Sequence, residues 1–285
     1  MSERKPIFLL SHPRSTSHAF LRPFLQRSQE FHVFNEPFLE FCLDIENSKD
    51  VKNGVADPSK HSDLSLFTTK VLSIFDDVWK TYNDESSNKP KRIFWHEHSV
   101  FLLKGIPGIS FLSNPQFLEM THTFLIRNPE KSIKSLYKAA NFIIAKNDEF
   151  GINASFDKNR GGLTQSKQIF DFLKDLNKQP IVIDSDDIIN DPKGILKKYC
   201  ELIGEEFKEE MIQWEAKPIN EFRFKGANTT YTIISELMVR NAENSTGFNK
   251  FINKYEYPEI EYPQIVYDAI TESKPYYDYL YQFKI

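Results

Sequence analysis

The chain alternates short apolar runs with longer stretches whose apolar residues recur at helical spacing. Residues 6–11 form an apolar run closed by a turn, which predicts a buried strand. Residues 18–28, "HAFLRPFLQRS", predict a helix with Pro23 near its first turns. "FHVF" at 31–34 predicts a second strand, and "EPFLEFCLDIE" a helix with Pro37 in its first turn. Residues 47–62 are polar with Gly54 and Pro58, so they predict a loop. "DLSLFTTKVLSIFDDVWKTY" predicts a helix, "NDESSNKPK" a surface linker, and "RIFWHEH" a third strand running into a polar turn. "THTFLIRNPEKSIKSLYKAANFIIA" divides into a strand, the breaker Asn128-Pro129 and a helix. A loop at 150–162, a helix at 164–177, the strand "QPIVIDSDD" ending in acids, and the helix "DPKGILKKYCELIG" follow.

Strands therefore alternate with helices over the first 200 residues. That order predicts an α/β class, a central mostly parallel sheet flanked by helices. Residues 206–285 show no clear strand pattern. They read as helices and a Tyr/Pro-rich tail that packs back on the sheet, within one domain spanning 1–285. The 285 residues suffice for a substantial core.

Charge and cysteine content narrow the partners. A net charge of -4 gives no general reason to bind nucleic acid or an anionic membrane, so any anion site is local. Cys42 and Cys200 lie far apart and make no disulfide framework, which fits a reducing compartment. Near the N-terminus the apolar run covers only Ile7 to Leu10, too short for a signal-peptide core or a membrane span. A cytoplasmic protein with no membrane partner is the expectation.

The stretch "HPRSTS" at 12–17 stands at a predicted strand-turn-helix junction. In a parallel sheet, ligands gather at the carboxyl ends of strands. A helix N-terminus there offers free N–H groups and the positive end of a dipole. Arg14 adds a guanidinium fork, and Ser15, Thr16 and Ser17 add hydroxyls. The competing reading is a helix cap, for which Ser and Thr are favoured. One cap needs one hydroxyl, however, and three stand here beside an arginine. A second constellation places Arg127 at a strand end and Ser135 eight residues later in the next helix.

Together these two motifs resemble the sulfotransferases that use 3′-phosphoadenosine 5′-phosphosulfate (PAPS), whose product is PAP. That family has a P-loop-like fold, with one loop for the 5′-phosphosulfate and an arginine-plus-serine pair for the 3′-phosphate. The resemblance assigns Arg14, Ser15, Thr16, Ser17 and His18 to the first site, and Arg127 and Ser135 to the second. "EPF" at 36–38, "HEH" at 96–98, "VIDSDDIINDP" at 182–192, "CELIGEEF" at 200–207 and "STGF" at 245–248 resemble further family landmarks in the right order. Two positions depart from the pattern. A glycine is usual at Thr16, where it lets backbone approach a phosphate closely, and a hydroxyl residue is usual at His18. His18 either donates to the same anion or is an exposed first-turn residue. The kinase signature G-x-x-x-x-G-K-[ST] is absent from the chain, which counts against an ATPase or kinase.

The implied reaction moves a sulfonate from PAPS to a hydroxyl or amine of a small-molecule acceptor. By analogy with phosphoryl transfer, positioning and charge stabilisation carry it. It needs a base and cations, Arg14 among them, and no metal. Three residues compete for the base. His98 matches the family's histidine after a central strand, and an imidazole titrates near neutral pH. His96 occupies the place of that motif's lysine. Glu36 follows the second strand, where some bacterial-type members are thought to use a glutamate. The structural alternatives are a buried polar bridge for His98 and a first-turn carboxylate for Glu36.

Other features have blander readings. Lys225-Gly226 reads as a solvated loop beside its resemblance to a late phosphate segment. Trp214 either lines the pocket or belongs to the core. The acids of "DSDD" at 184–187 read as caps of the following helix rather than as a Mg²⁺ site. Residues 36–75, 96–115 and 140–165 are expected to build the acceptor pocket, and their Phe/Tyr content points to an apolar or aromatic alcohol. Two alternatives stay open beside the sulfotransferase. One is an enzyme of the same fold turned to other chemistry. The other is a non-catalytic protein that binds a 3′,5′-bisphosphate nucleotide.

Overall fold

A computed structural model describes residues 4–38, 73, 76–80, 91–103, 112–144, 156–222, 236 and 238–285. Five parallel strands form its sheet: β1 (Ile7–Ser11), β2 (Phe31–Asn35), β3 (Arg92–His98), β4 (Thr121–Ile126) and β5 (Ile181–Asp184). Their order is β2-β3-β1-β4-β5. The α/β class and the parallel sheet are thus as the pattern of apolar runs predicts. β1 is central, and all five of its residues are buried because helices cover both faces. From β1 the chain passes to β2 on one side. From β3 it crosses to β4 on the other. The turn after β1 therefore opens where the strand order reverses, the usual place for a ligand crevice.

The described helices are α1 (Ser17–Gln26), α2 (Ser99–Leu103), α3 (Pro115–Glu119), α4 (Pro129–Ile144), α5 (Leu163–Asp175), α6 (Ser185–Asn190), α7 (Pro192–Ile203) and α8 (Gln264–Tyr281). Several predicted boundaries shift. The strand over 179–187 ends at Asp184, because that carboxylate accepts from the backbone N–H groups of Asp186 and Asp187 and so starts α6. The acids of "DSDD" thus begin with a cap, as the blander reading expects. The polar turn expected after "RIFWHEH" is instead α2, which begins directly at Ser99. The predicted helices at 36–46 and 63–82 lie mostly outside the described residues; of those described there, Glu36 precedes the helix, and 37–38, 73 and 76–80 are helical.

Strand alternation divides the core into two layers. Phe8, Leu10, Ile93, Trp95, Phe124 and Ile126 face one side. Ile7, Leu9, Phe94, Leu125, Ile181 and Ile183 face the other, against Phe20 and Phe24 of α1 and Tyr199 of α7. Trp214 belongs to this second layer. It is buried, donates to Ser245 Oγ at 2.9 Å and packs on Phe248, so its role is in the core. The "STGF" segment supplies both of those partners. Residues 206–285 hold only isolated bridges among the described residues, one pairing Lys284 with Val182 of β5. The tail therefore returns to the sheet, and α8 packs along α4 and α5.

Candidate active site

Two elements meet at the carboxyl end of β1. The turn 12–16 leaves the strand with Arg14 and Thr16 both in the left-handed region, at φ 65° and 71°. Thr16 thus takes the conformation a glycine adopts freely, at a strain of roughly 1–2 kcal/mol. It is the N-cap of α1, yet its side chain makes no capping hydrogen bond. Among the described residues, the N–H groups of Ser17, His18 and Ala19 have no acceptor. Ser15 Oγ is buried and also without a partner. The cap reading of the three hydroxyls therefore does not hold.

Arg127, just after β4, reaches this turn directly. Its backbone N–H donates to His12 Nε2 at 3.0 Å, and its Nη1 donates to the Arg14 carbonyl at 2.9 Å. Arg14 Nε in turn donates to Ser135 Oγ at 3.0 Å, which leaves the Ser135 O–H free to donate. The two motifs that stand more than a hundred residues apart in sequence are thus one hydrogen-bonded unit. Arg127 Nε is buried and has no partner. Burial lowers its guanidinium from the ordinary value, while Asp186 opposes that; it remains a cation at neutral pH.

Supporting contacts fix the turn from below. Ser185 Oγ donates to the Ser15 carbonyl. Gly162, the N-cap of α5 at φ 76°, lies so close that a Cβ there would meet His12 Cβ at 2.9 Å.

A third group comes from β2 and β3. Glu36 follows β2 with φ 51°, and its N–H donates to the His96 carbonyl at 2.8 Å. On the next residues, Glu97 accepts from Phe38 N–H at 2.7 Å and so pins the chain that leaves Glu36. The Glu36 carboxylate is buried, with His98 Nε2 at 3.2 Å from its Oε1 and His18 Nε2 and His96 Nδ1 each at 3.7 Å. Oε1 makes no hydrogen bond among the described residues. Burial pushes Glu36 up to about 8. Burial also holds His98 well below its usual value, with His18, His12 and Arg14 adding to the effect. His18 falls to about 3 through burial and Arg14, so it is a neutral imidazole at neutral pH. Near neutral pH the site favours a protonated Glu36 beside a neutral His98.

These groups line one cavity of about 840 Å³. Arg14, Thr16, Ser17, His18, Glu36, His98, Arg127 and Ser135 all face it, with Ser15 buried behind the turn. Val100, Phe101, Phe222 and Tyr257 supply apolar walls. His96 stands behind the cavity wall. Glu36, His96 and His98 have the composition of a metal site, with one ligand atom each within 4.8 Å of the others. His96, however, engages Nδ1 with Asn35 Oδ1 and Nε2 with Ser11 Oγ, which leaves only two of those ligand atoms disengaged. Lys225-Gly226, Cys42 and most of the expected acceptor pocket lie outside the described residues.

Sequence reasoning missed Ser11, His12, Gly162 and Ser185. Ser11, Gly162 and Ser185 act through spatial neighbours that no local motif marks. Only His12, adjacent to "PRSTS", carried a local signal.

No family model matches the chain. It is 26% identical over 270 residues to branched-chain-amino-acid aminotransferase-like protein 2 of Arabidopsis thaliana, covering 95% of this chain and 40% of that protein. To aminotransferase-like protein 1 of the same plant it is 27% identical over 282 residues, covering 98% and 42%. The chain thus spans about two fifths of the length of these curated relatives. Among solved structures it is similar to the sulfotransferase domain from the Synechococcus PCC 7002 olefin synthase, with 13% identity, a TM-score of 0.43 and coverage of 95% and 96% of the two chains. The sulfotransferase domain from the curacin biosynthetic pathway gives 10% identity, a TM-score of 0.44 and coverage of 94% and 97%.

Proposed function

We propose that the chain is a sulfotransferase that carries a sulfonate from PAPS to a hydroxyl or amine of a small-molecule acceptor. The observation that carries the reading is the join between the two anion motifs. Arg14 bonds Ser135, Arg127 bonds the Arg14 carbonyl, and between them remain buried donors with nothing to bind. An unpaired buried donor costs about 1–3 kcal/mol, so such a set fits a site shaped for an anion. Two phosphate-like groups on one nucleotide would satisfy Arg127 Nε with the Ser135 hydroxyl, and the free N–H groups of α1 with Ser15 and Ser17.

PAPS supplies the sulfonate when bound. The chain's own residues do the rest. Arg14 and the α1 N-terminus bring positive charge to the turn, where charge on a bridging oxygen would develop. His98 and Glu36 line the cavity wall beside the α1 N-terminus, where Glu36 Oε1 lies 3.7 Å from His18 Nε2, and His98 takes the acceptor's proton with the protonated Glu36 next to it. A neutral His98 Nε2 is able to accept it directly at neutral pH. Phe101 and Phe222 border that wall, which suits an apolar or aromatic acceptor.

The aminotransferase in the relatives' names belongs to proteins of which this chain spans two fifths. The groups around the turn are arginines, imidazoles, hydroxyls and a carboxylate. The lysines on the cavity's outer side, Lys131, Lys134 and Lys138, are surface residues paired with Asp186, Glu130 and Glu259.

The test is a thermal-shift series with PAP, PAPS, AMP, ADP and ATP, followed by transfer of labelled sulfonate to a panel of phenols and alcohols. A specific ligand raises the melting temperature by mass action. The reading expects PAP and PAPS to stabilise far more than AMP. No response to PAP, or equal responses to PAP and AMP, overturns it.

A further inference from the structure

We infer that Ser11, His96 and Asn35 form a hydrogen-bonded chain that sets the proton pattern of His98, with Ser11 and His96 as positioning residues for the base. The inference deepens the sulfotransferase reading, and its catalytic half rests on that reading. The chain runs across three adjacent strands at their carboxyl ends. Asn35 lies opposite His96 in the β2–β3 register, and Ser11 lies opposite His98 in the β1–β3 register. Ser11, His96 and His98 project from the same sheet face, because strand side chains alternate with period two.

The bonds are short and continuous. His96 Nδ1 lies 2.8 Å from Asn35 Oδ1. Ser11 Oγ lies 2.7 Å from His96 Nε2 and 2.7 Å from His98 Nδ1. Proton counting then fixes every member. An amide oxygen only accepts, so His96 carries its proton on Nδ1. Its Nε2 is then a bare acceptor, and the single Ser11 hydroxyl proton points at it. Ser11 Oγ accordingly accepts from His98, whose proton sits on Nδ1. His98 Nε2 is left bare, and this is the nitrogen 3.2 Å from Glu36 Oε1 and open to the cavity.

Two consequences follow. His98 presents its basic nitrogen to the acceptor side without needing a carboxylate behind it, since a serine and a second histidine do the orienting. The chain is also closed at its far end, because the Asn35 oxygen has no proton to pass on. A proton taken from an acceptor therefore stays on His98, whose Nε2 stands beside the protonated Glu36. The charged and titratable groups that face His98 are His12 from the end of β1, Arg14 from the turn, His18 from α1, Glu36 after β2 and His96 from β3. Arg14 favours keeping His98 neutral until the acceptor arrives.

The test reads the tautomers themselves. Long-range ¹H–¹⁵N correlation spectra of the full chain, ¹⁵N-labelled at histidine, should show His96 and His98 as neutral Nδ1–H tautomers at pH 7. Ser11→Ala removes the hydroxyl that accepts from His98 and leaves only the Ser11 backbone, which His98 also bonds, so the Nδ1–H signal should move and the Nε2–H form should gain population. Its thermal response to PAP should stay that of the parent. Asn35→Ala, at a partly exposed position, is the second variant and should release His96 in the same way. Turnover in Ser11→Ala should fall by about 10²-fold, of the order general-base catalysis supplies, with KM for PAPS unchanged. The pH profile of kcat should lose its acid limb at the parental position. A parent His98 in the Nε2–H form, or tautomers indifferent to both variants, sinks the relay. A protein that keeps these tautomers but ignores PAP leaves the relay standing and removes the sulfotransferase reading.

Discussion

His98 Nε2 stands 3.2 Å from Glu36 Oε1, so two residues that the sequence presents as rival bases stand side by side in one site. Groups that act as a unit give non-additive losses when removed. His98→Ala and Glu36→Gln should each lower turnover by roughly 10² to 10⁴, and the double variant should be little worse than the poorer single. Affinity for PAP should be nearly unchanged in all three. Turnover measured under saturating PAPS checks this. Fully multiplicative losses would mean that the two side chains act at different steps.

Arg127 should be the main selector of the nucleotide. Its guanidinium is half-buried, holds the Arg14 carbonyl and keeps a buried Nε without a partner. A charge-assisted hydrogen bond is worth on the order of 1.5–3 kcal/mol. Arg127→Ala should therefore weaken PAP by about 10- to 150-fold and leave AMP binding almost as it was. Calorimetric titration of both nucleotides into the parent and the variant decides it. An unchanged affinity for PAP would place the 3′-phosphate elsewhere.

Stability should peak near pH 6.5. The imidazoles of His12, His18, His96, His98 and His122 are all held below their usual value, chiefly by burial. They are neutral in the fold and charged when unfolded below about pH 6.5. The unfolded chain then binds more protons, so stability rises with pH up to that point. Glu36, pushed up to about 8, and Glu97, pushed well above its usual range, act the other way. Between pH 6.5 and 8 the fold holds the Glu36 proton while the unfolded chain has lost it, so stability falls as pH rises, and Glu97 acts in the same direction. Five imidazoles outweigh two carboxyls below pH 6.5, and above it the carboxyls act alone. Glu36→Gln should flatten the fall between pH 6.5 and 8, worth roughly a few kcal/mol at most. Melting curves across pH 5–9 report the slope directly.

The sheet was largely legible in the sequence. Buried parallel strands are continuous apolar runs, and β1, β4 and β5 read that way without ambiguity. The positions of Arg14 and Arg127 were legible too, because each follows a strand end beside hydroxyls. The bond from Arg14 to Ser135 was not, since it depends on which strands flank β1. Neither was the role of Ser11. In sequence it is the last residue of an apolar run; only the β1–β3 register puts it between two imidazoles. His96 read as the weaker of two histidines because spacing along one strand says nothing of Asn35 on the neighbouring strand. The helix α2 was missed because the short run 99–103 follows directly on a polar strand end and carries no breaker between them.

Two left-handed positions meet at the turn after β1, one held by a threonine within the turn and one by a glycine at the start of α5. Thr16 sits at φ 71° with a β-branched side chain, and Gly162 sits at φ 76° with His12 and Pro13 packed against it. Thr16→Gly relieves strain of roughly 1–2 kcal/mol but adds freedom to the unfolded chain worth about 0.4–1 kcal/mol. The net expectation is a gain of between about 0 and 1.6 kcal/mol, with PAP bound at least as tightly because backbone gains room to approach. Gly162→Ala should do the reverse. Its Cβ would lie 2.9 Å from His12 Cβ and 3.3 Å from Pro13 Cδ, and the left-handed φ adds its own cost. A loss of roughly 2 kcal/mol or more is expected. The displaced His12 would also pull on the Arg127 N–H that it accepts, so PAP should stabilise Gly162→Ala less than it stabilises the parent. Chemical denaturation of the two variants, each with and without PAP, measures both effects. A destabilised Thr16→Gly would show that the threonine side chain makes contacts outweighing its strain, and a neutral Gly162→Ala would show that the helix α5 is free to draw back from the turn.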